Sequence, residues 1–199
     1  MNPLNSIWGT IIAGVVLAVA VGLVNGVDFS DLTFMVWLHV LAGIVWIGML
    51  YYFNFVQVPA LAAAAADSGG PGGSGISKYV APRALAWFRW GAVATWLTGA
   101  GVLLRLGIFD DAFMLGFNEN APGNAWLIGV GAWLGTIMLF NVWVLIWPNQ
   151  KKILGLVEAT ADEISKARRT AFLASRTNTM LSVPMLASMV AYGHAGFFI

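Results

Sequence analysis

Cysteine is absent from all 199 residues, which excludes disulfides, thiolate metal sites, iron–sulfur clusters and covalently attached c-type haem. Charge is nearly as scarce, with 10 Lys+Arg and 9 Asp+Glu. A chain that is 59% hydrophobic with a mean hydropathy of +0.80 is more apolar than a water-soluble domain of this length needs, so its solvent must be lipid. Every Asp and Glu falls in a loop or at a boundary, and no Lys lies inside an apolar run. That leaves no intramembrane carboxylate for a proton relay or ion-coupled transport. The net charge of +1 gives no reason to expect a nucleic-acid partner.

Five apolar runs are present, at 7–24, 32–56, 86–108, 125–147 and 180–198. Each supplies roughly the 20 residues that a helix needs to cross a bilayer core of about 30 Å. The expectation is an all-α integral membrane protein, one domain over 1–199, with a bundle of about five transmembrane helices. Met1 to Thr10 carries no Lys or Arg and no small-residue cleavage site follows, so the first run reads as a retained helix and not as a signal peptide. Residues 60–77, an Ala run leading into Asp67-Ser-Gly-Gly-Pro-Gly-Gly-Ser-Gly75, read as a flexible linker. Residues 151–176 read as an amphipathic surface segment.

Nine of the ten basic residues lie on one side of this layout, namely Lys78, Arg83, Arg89, Lys151, Lys152, Lys166, Arg168, Arg169 and Arg176. Arg105 alone is on the other, with Asp28, Asp31, Asp110, Asp111 and Glu119. Positive charge marks the cytoplasmic side. The expected orientation in a bacterial inner membrane has the N-terminus cytoplasmic and the C-terminus periplasmic.

Only two histidines occur, His39 and His194, and both fall within expected membrane helices, where a polar ring needs a partner or a ligand. The layout places them at similar depth near the periplasmic side, on different helices. Two such imidazoles suit a b-type haem, which is held noncovalently and takes one axial nitrogen from each face. Gly43, one turn beyond His39, would let a flat macrocycle approach the backbone, and Trp46 would border it. The plainer reading is a histidine hydrogen-bonded across a helix interface. Copper would have only these two nitrogens and scattered methionines, which make a poor closed site. The Gly131-x-x-x-Gly135 pattern, Asn54, Asn141, Thr95 and Thr98 read as helix-packing features, and several of the ten Trp as interfacial anchors.

Three stretches together carry a family resemblance: Trp37-Leu-His39-Val-Leu-Ala-Gly43-Ile-Val-Trp46 continuing through Asn54 to Pro59, Asn141 through Trp147-Pro148-Asn149 to Ile153, and Ala174-Ser-Arg176-Thr-Asn178 through Ser182 to Met185. They resemble the N-terminal membrane domain of bacterial membrane-bound urate hydroxylases. The resemblance implies a membrane domain that in urate-oxidising members is followed by a periplasmic c-type cytochrome; this chain looks like a short form lacking that domain and some of the helices. The second run is also similar, more loosely, to the first helix of haem-containing bacterial protoporphyrinogen oxidases. Those pair the histidine with an intrahelical Lys that has no counterpart here.

The expected function is therefore that of a membrane-embedded protein carrying one bis-His haem b. It would exchange electrons with a periplasmic c-type cytochrome or a quinone, with urate or a related small reductant as the substrate suggested by the family if it is an enzyme. The sequence assigns no catalytic residue. The alternative is a haem-free structural or accessory subunit of a larger membrane complex.

Overall fold

The computed structural model describes residues 2–194. Among them the regular structure is helical throughout. The elements are α1 (Ile7–Val24), α2 (Asp31–Tyr51), α3 (Val58–Ala66), α4 (Ala81–Arg105), α5 (Phe109–Phe113), α6 (Ala125–Phe140), α7 (Trp147–Ile153) and α8 (Ala161–His194). Three helical stretches are long and apolar enough to cross a membrane: Ile7–Val24, Asp31–Ala66 with 36 residues, and Ala125–Ile153 with 29. This is a membrane protein. The third and fifth apolar runs lie within α4 and α8, and residues 195–198 of the fifth fall outside the described residues.

The chain divides into two compact units, residues 1–34 and 35–199. In the first, the Ser6 side chain accepts from the Gly9 amide to cap α1, and Gly22 of α1 packs on the ring of Phe29. The apolar side chains of α1 are otherwise largely exposed, as a lipid-facing helix requires.

In the second unit the core forms between α2, α4, α6 and α8. Its stripe on α2 is read at helical spacing: Trp46, Leu50 and Phe53 are all buried, and His39 and Gly43 extend the same i, i+4, i+7 series toward the start of the helix. Val36, Val40, Leu41 and Ile44 are exposed. Phe53 meets Phe88 of α4 edge to face, with centroids 5.6 Å apart. The helices are antiparallel neighbours: α2 runs against α4 through Met35 and Gly101, His39 and Gly99, and Val45 and Gly91. On the other side, α6 packs on α8, with Gly131 against Met189 and Ser188. That contact accounts for the first glycine of the Gly131-x-x-x-Gly135 pattern as intramolecular packing.

Both long apolar helices contain a π segment followed by a proline-bearing turn. Tyr52–Gln57 precedes Pro59, and Asn141–Ile146 precedes Pro148. A π turn displaces backbone hydrogen bonds by one residue, and an Asn amide serves the carbonyls at each entry. Asn54 donates to Leu50 O at 2.9 Å, and Asn178 donates to Met138 O at 2.9 Å. The helix persists to Ala66, so the Ala run counted in the expected linker is structured and the loop narrows to the Gly-rich stretch after it. Likewise the expected surface segment 151–176 is not separate. From Ala161 onward it is the first half of α8, started by a reciprocal cap in which Thr160 N donates to Glu163 and Glu163 N donates to the Thr160 hydroxyl. Schellman-type closures end α4 at Gly107 (φ +70°) and α7 at Gly155 (φ +69°), where a left-handed residue costs least without a Cβ.

The two halves of this unit repeat one another. Trp46-Ile-Gly48 followed by Phe53-Asn54 recurs as Trp133-Leu-Gly135 followed by Phe140-Asn141, each position displaced by 87, and the same displacement carries Arg89 onto Arg176. Contacts between the halves obey the same relation. The Trp96 indole donates to Thr136 at 2.9 Å, from α4 to α6, and the Tyr51 hydroxyl meets Ser182 at 3.0 Å, from α2 to α8. Displacing the first pair by one repeat lands within two residues of the second. The bundle is thus two helical hairpins in the same sense about a pseudo-two-fold axis.

Candidate functional site

His39 stands on the core-facing stripe of α2, half-buried against α4. Its Nδ1 lies 2.8 Å from the carbonyl oxygen of Thr95 and 3.4 Å from the hydroxyl of Thr98. The Thr98 hydroxyl hydrogen is directed to Ala94 O at 2.6 Å, so both neighbours of Nδ1 present oxygen lone pairs. Nδ1 therefore carries the proton, and Nε2 keeps its lone pair in the neutral ring. This is the arrangement by which a backbone carbonyl fixes the tautomer of a metal-binding histidine. Glycine at 99 lets the ring approach: a Cβ there would stand 2.7 Å from Cε1 and 3.0 Å from Nδ1. The Thr95 side chain turns back on Gly91 O at 2.7 Å, leaving its backbone carbonyl as the group offered to the ring.

The other expected site residues are distributed along the same stripe and on α8. Gly43 faces Thr95, whose methyl would lie 3.8 Å from an added Cβ. Trp46 is buried to 2% exposure, and its indole N–H has no acceptor among the described residues. His194 is the last residue of α8 and is exposed. Antiparallel α2 and α8 are tied together by Tyr51 to Ser182 and by Asn54 to Ser175. His39 lies twelve residues before Tyr51 and His194 twelve residues after Ser182, so each is displaced about 18 Å along its helix toward the same end of the bundle.

At His39 the tautomer leaves Nε2 unprotonated, and Gly43 keeps the next turn of the helix slim, features that a haem ligand would need. Among the described residues no group of three or more His, Cys, Asp or Glu side chains converges on a possible metal ion.

Farther along the bundle, past Trp46, lies a network of uncharged polar side chains that joins the helices. Asn178, fully buried, accepts from Asn141 at 2.8 Å and donates to Met138 O at 2.9 Å. Ser182, also fully buried, donates to Thr179 O at 2.7 Å, which leaves the Tyr51 hydroxyl to donate to Ser182. Asn54 reaches Ser175 at 2.8 Å. The readable signal was the recurrence of Phe-Asn in two helices at one displacement, which marks Asn54 and Asn141 as equivalent positions.

Compared with known proteins, the chain gives no match among curated proteins and none among solved structures. The family model described as urate oxidase N-terminal matches it twice, over residues 26–116 and 111–198. These two stretches cover the hairpins that make the bundle, and the chain belongs to the urate oxidase N-terminal family.

Proposed function

We propose that this protein is a b-haem redox protein of the bacterial inner membrane, crossing it five times with the N-terminus cytoplasmic. In this reading His39 and His194 would hold the haem iron, Gly43 and Trp46 would line the macrocycle, and electrons would pass to or from a periplasmic c-type cytochrome or a quinone. Bound haem would supply one-electron chemistry. The family gives urate or a related small reductant as the candidate donor.

The observation that carries the reading is the Nδ1 bond of His39 to Thr95 O, because it reserves Nε2 for a ligand and holds the ring in one orientation. The common displacement of the two histidines along antiparallel helices supports it further. Nine of ten basic residues on one side support the orientation.

The second reading, a haem-free subunit of a larger membrane complex, draws on the exposure of His194 and on the many lipid-facing or partner-facing apolar side chains. Spectra separate the two. Wild type, His39→Ala and His194→Ala are purified in detergent, and air-oxidised and dithionite-reduced spectra are recorded with a pyridine haemochrome assay. Low-spin haem b in the wild type that is lost or converted to a high-spin form in either variant is the expected result. A colourless wild type from haem-replete cells refutes the haem assignment and leaves the subunit reading.

A further inference from the structure

At the end of the bundle that carries the 67–75 loop, Arg89 of α4 lays its guanidinium over Trp147, 3.2 Å from the ring centroid, with Trp143 at 5.8 Å. Lys151, one turn beyond Trp147, brings its ammonium to 6.0 Å from the same ring. Trp90 closes the cluster by meeting Trp143 edge to face at 5.4 Å. Each polar group here is a donor. Arg89 Nε and Trp143 Nε1 are buried with no acceptor, and neither Arg89 nor Lys151 has a carboxylate within ion-pair distance among the described residues. Unmet donors in a low-dielectric setting are costly, and two cations gathered around one indole repel each other unless an anion lies between them.

We propose that Arg89, Trp143, Trp147 and Lys151 form a binding site for a phosphate-type oxyanion, carried by a phospholipid headgroup or free in solution. A planar guanidinium held flat on an indole keeps its edge N–H groups available for two oxygens at once, an ammonium adds a second charge, and Trp belongs at headgroup depth. The repeat supplies an internal comparison. Among the described residues, Arg176, the equivalent of Arg89, lies over one ring, Phe172 of its own helix, at 5.3 Å. The repeat equivalents of Trp143, Trp147 and Lys151 are Val56, Ala60 and Ala64, so the groups that form the cage around Arg89 have no counterpart for Arg176.

The test uses the full chain in detergent, with native mass spectrometry for retained lipid and tryptophan fluorescence for titration, against phosphatidylglycerol, phosphatidylcholine and inorganic phosphate. Phosphatidylglycerol is expected to bind more tightly than phosphatidylcholine. Arg89→Gln should weaken it by roughly tenfold or more and Lys151→Gln by a smaller factor, in line with lost charge-assisted hydrogen bonds, while Arg176→Gln leaves it unchanged. Displacement by millimolar inorganic phosphate would assign the site to a free anion, and failure of phosphate to displace the lipid would assign it to a headgroup. Equal binding of the two lipids with no response to phosphate, or equal losses in Arg89→Gln and Arg176→Gln, overturns the site. Should Arg89→Gln not fold, an unchanged affinity in the half-buried Lys151→Gln variant does the same.

Discussion

The imidazole of His39 and the backbone of Thr95 are joined by a 2.8 Å hydrogen bond between neighbouring helices, one turn before Gly99, whose missing side chain makes room for the ring. A backbone carbonyl cannot be removed by side-chain substitution, so the tautomer of His39 is fixed by the fold itself.

Gly99→Ala tests that arrangement. A Cβ 2.7 Å from Cε1 forces the ring to move, with a cost of about 1–3 kcal/mol typical of overpacking. The expected result is a lowered thermal midpoint and, under the proposed haem binding, a shifted or diminished haem spectrum. Gly43→Ala, whose Cβ meets only the Thr95 methyl at an ordinary 3.8 Å, should lower the midpoint far less. Equal effects would show that ring placement is not controlled from Gly99.

Asn178→Leu should be among the most damaging polar substitutions in the bundle. It leaves the buried Asn141 amide without its acceptor and removes the donor to Met138 O, at a cost of about 1–3 kcal/mol. Thermal unfolding in detergent reads the loss, and the double variant with Asn141→Leu should lose less than the sum of the two single variants.

The pseudo-two-fold relation predicts similar coupling at its two cross-contacts. Double-mutant cycles on Tyr51→Phe with Ser182→Ala, and on Trp96→Phe with Thr136→Val, should each return roughly 0.6–1.7 kcal/mol, the range for interhelical hydrogen bonds in membranes. A cycle with no coupling at either pair would show that this hydrogen bond does not help join the halves.

The cap on α8 predicts a pH dependence. Hydrogen bonds from the Thr160 amide and hydroxyl, followed by the charge of Lys152, hold the Glu163 carboxyl below its ordinary value of 4.5. A depressed acid stabilises the folded form above its unfolded pKa and loses that contribution as pH falls through the folded value. Wild type should therefore exceed Glu163→Gln in thermal midpoint between pH 5 and 7, and the difference should shrink as the pH drops below about 4.5. A difference that is constant with pH would place the effect elsewhere.

Much of the helical layout is legible in composition and run length, because lipid demands long apolar helices and leaves few alternatives. The α2 stripe from His39 through Trp46 is likewise visible at helical spacing. The continuation to Ala66 is not, since alanines before a Gly-rich stretch suit a helix or a linker equally until the π segment and Pro59 direct the chain onward. The role of Thr95 is also hidden. Its useful group is a main-chain carbonyl, which every residue possesses, so only the packing of α2 on α4 selects it. The Arg89 cluster escaped for another reason: a basic residue near a helix start reads as an orientation signal, and its aromatic partners come from the other half of the chain.

Two identical hairpins associating as separate chains would carry every residue twice, once on each side of the axis. Tandem fusion releases the sequence from that duplication. Position 39 is histidine while its counterpart, 126, is tryptophan, and the counterpart of His194 is Gly107. The covalent link therefore permits each half to carry a histidine at a position where the other half has none, inside a frame that the repeat keeps in common.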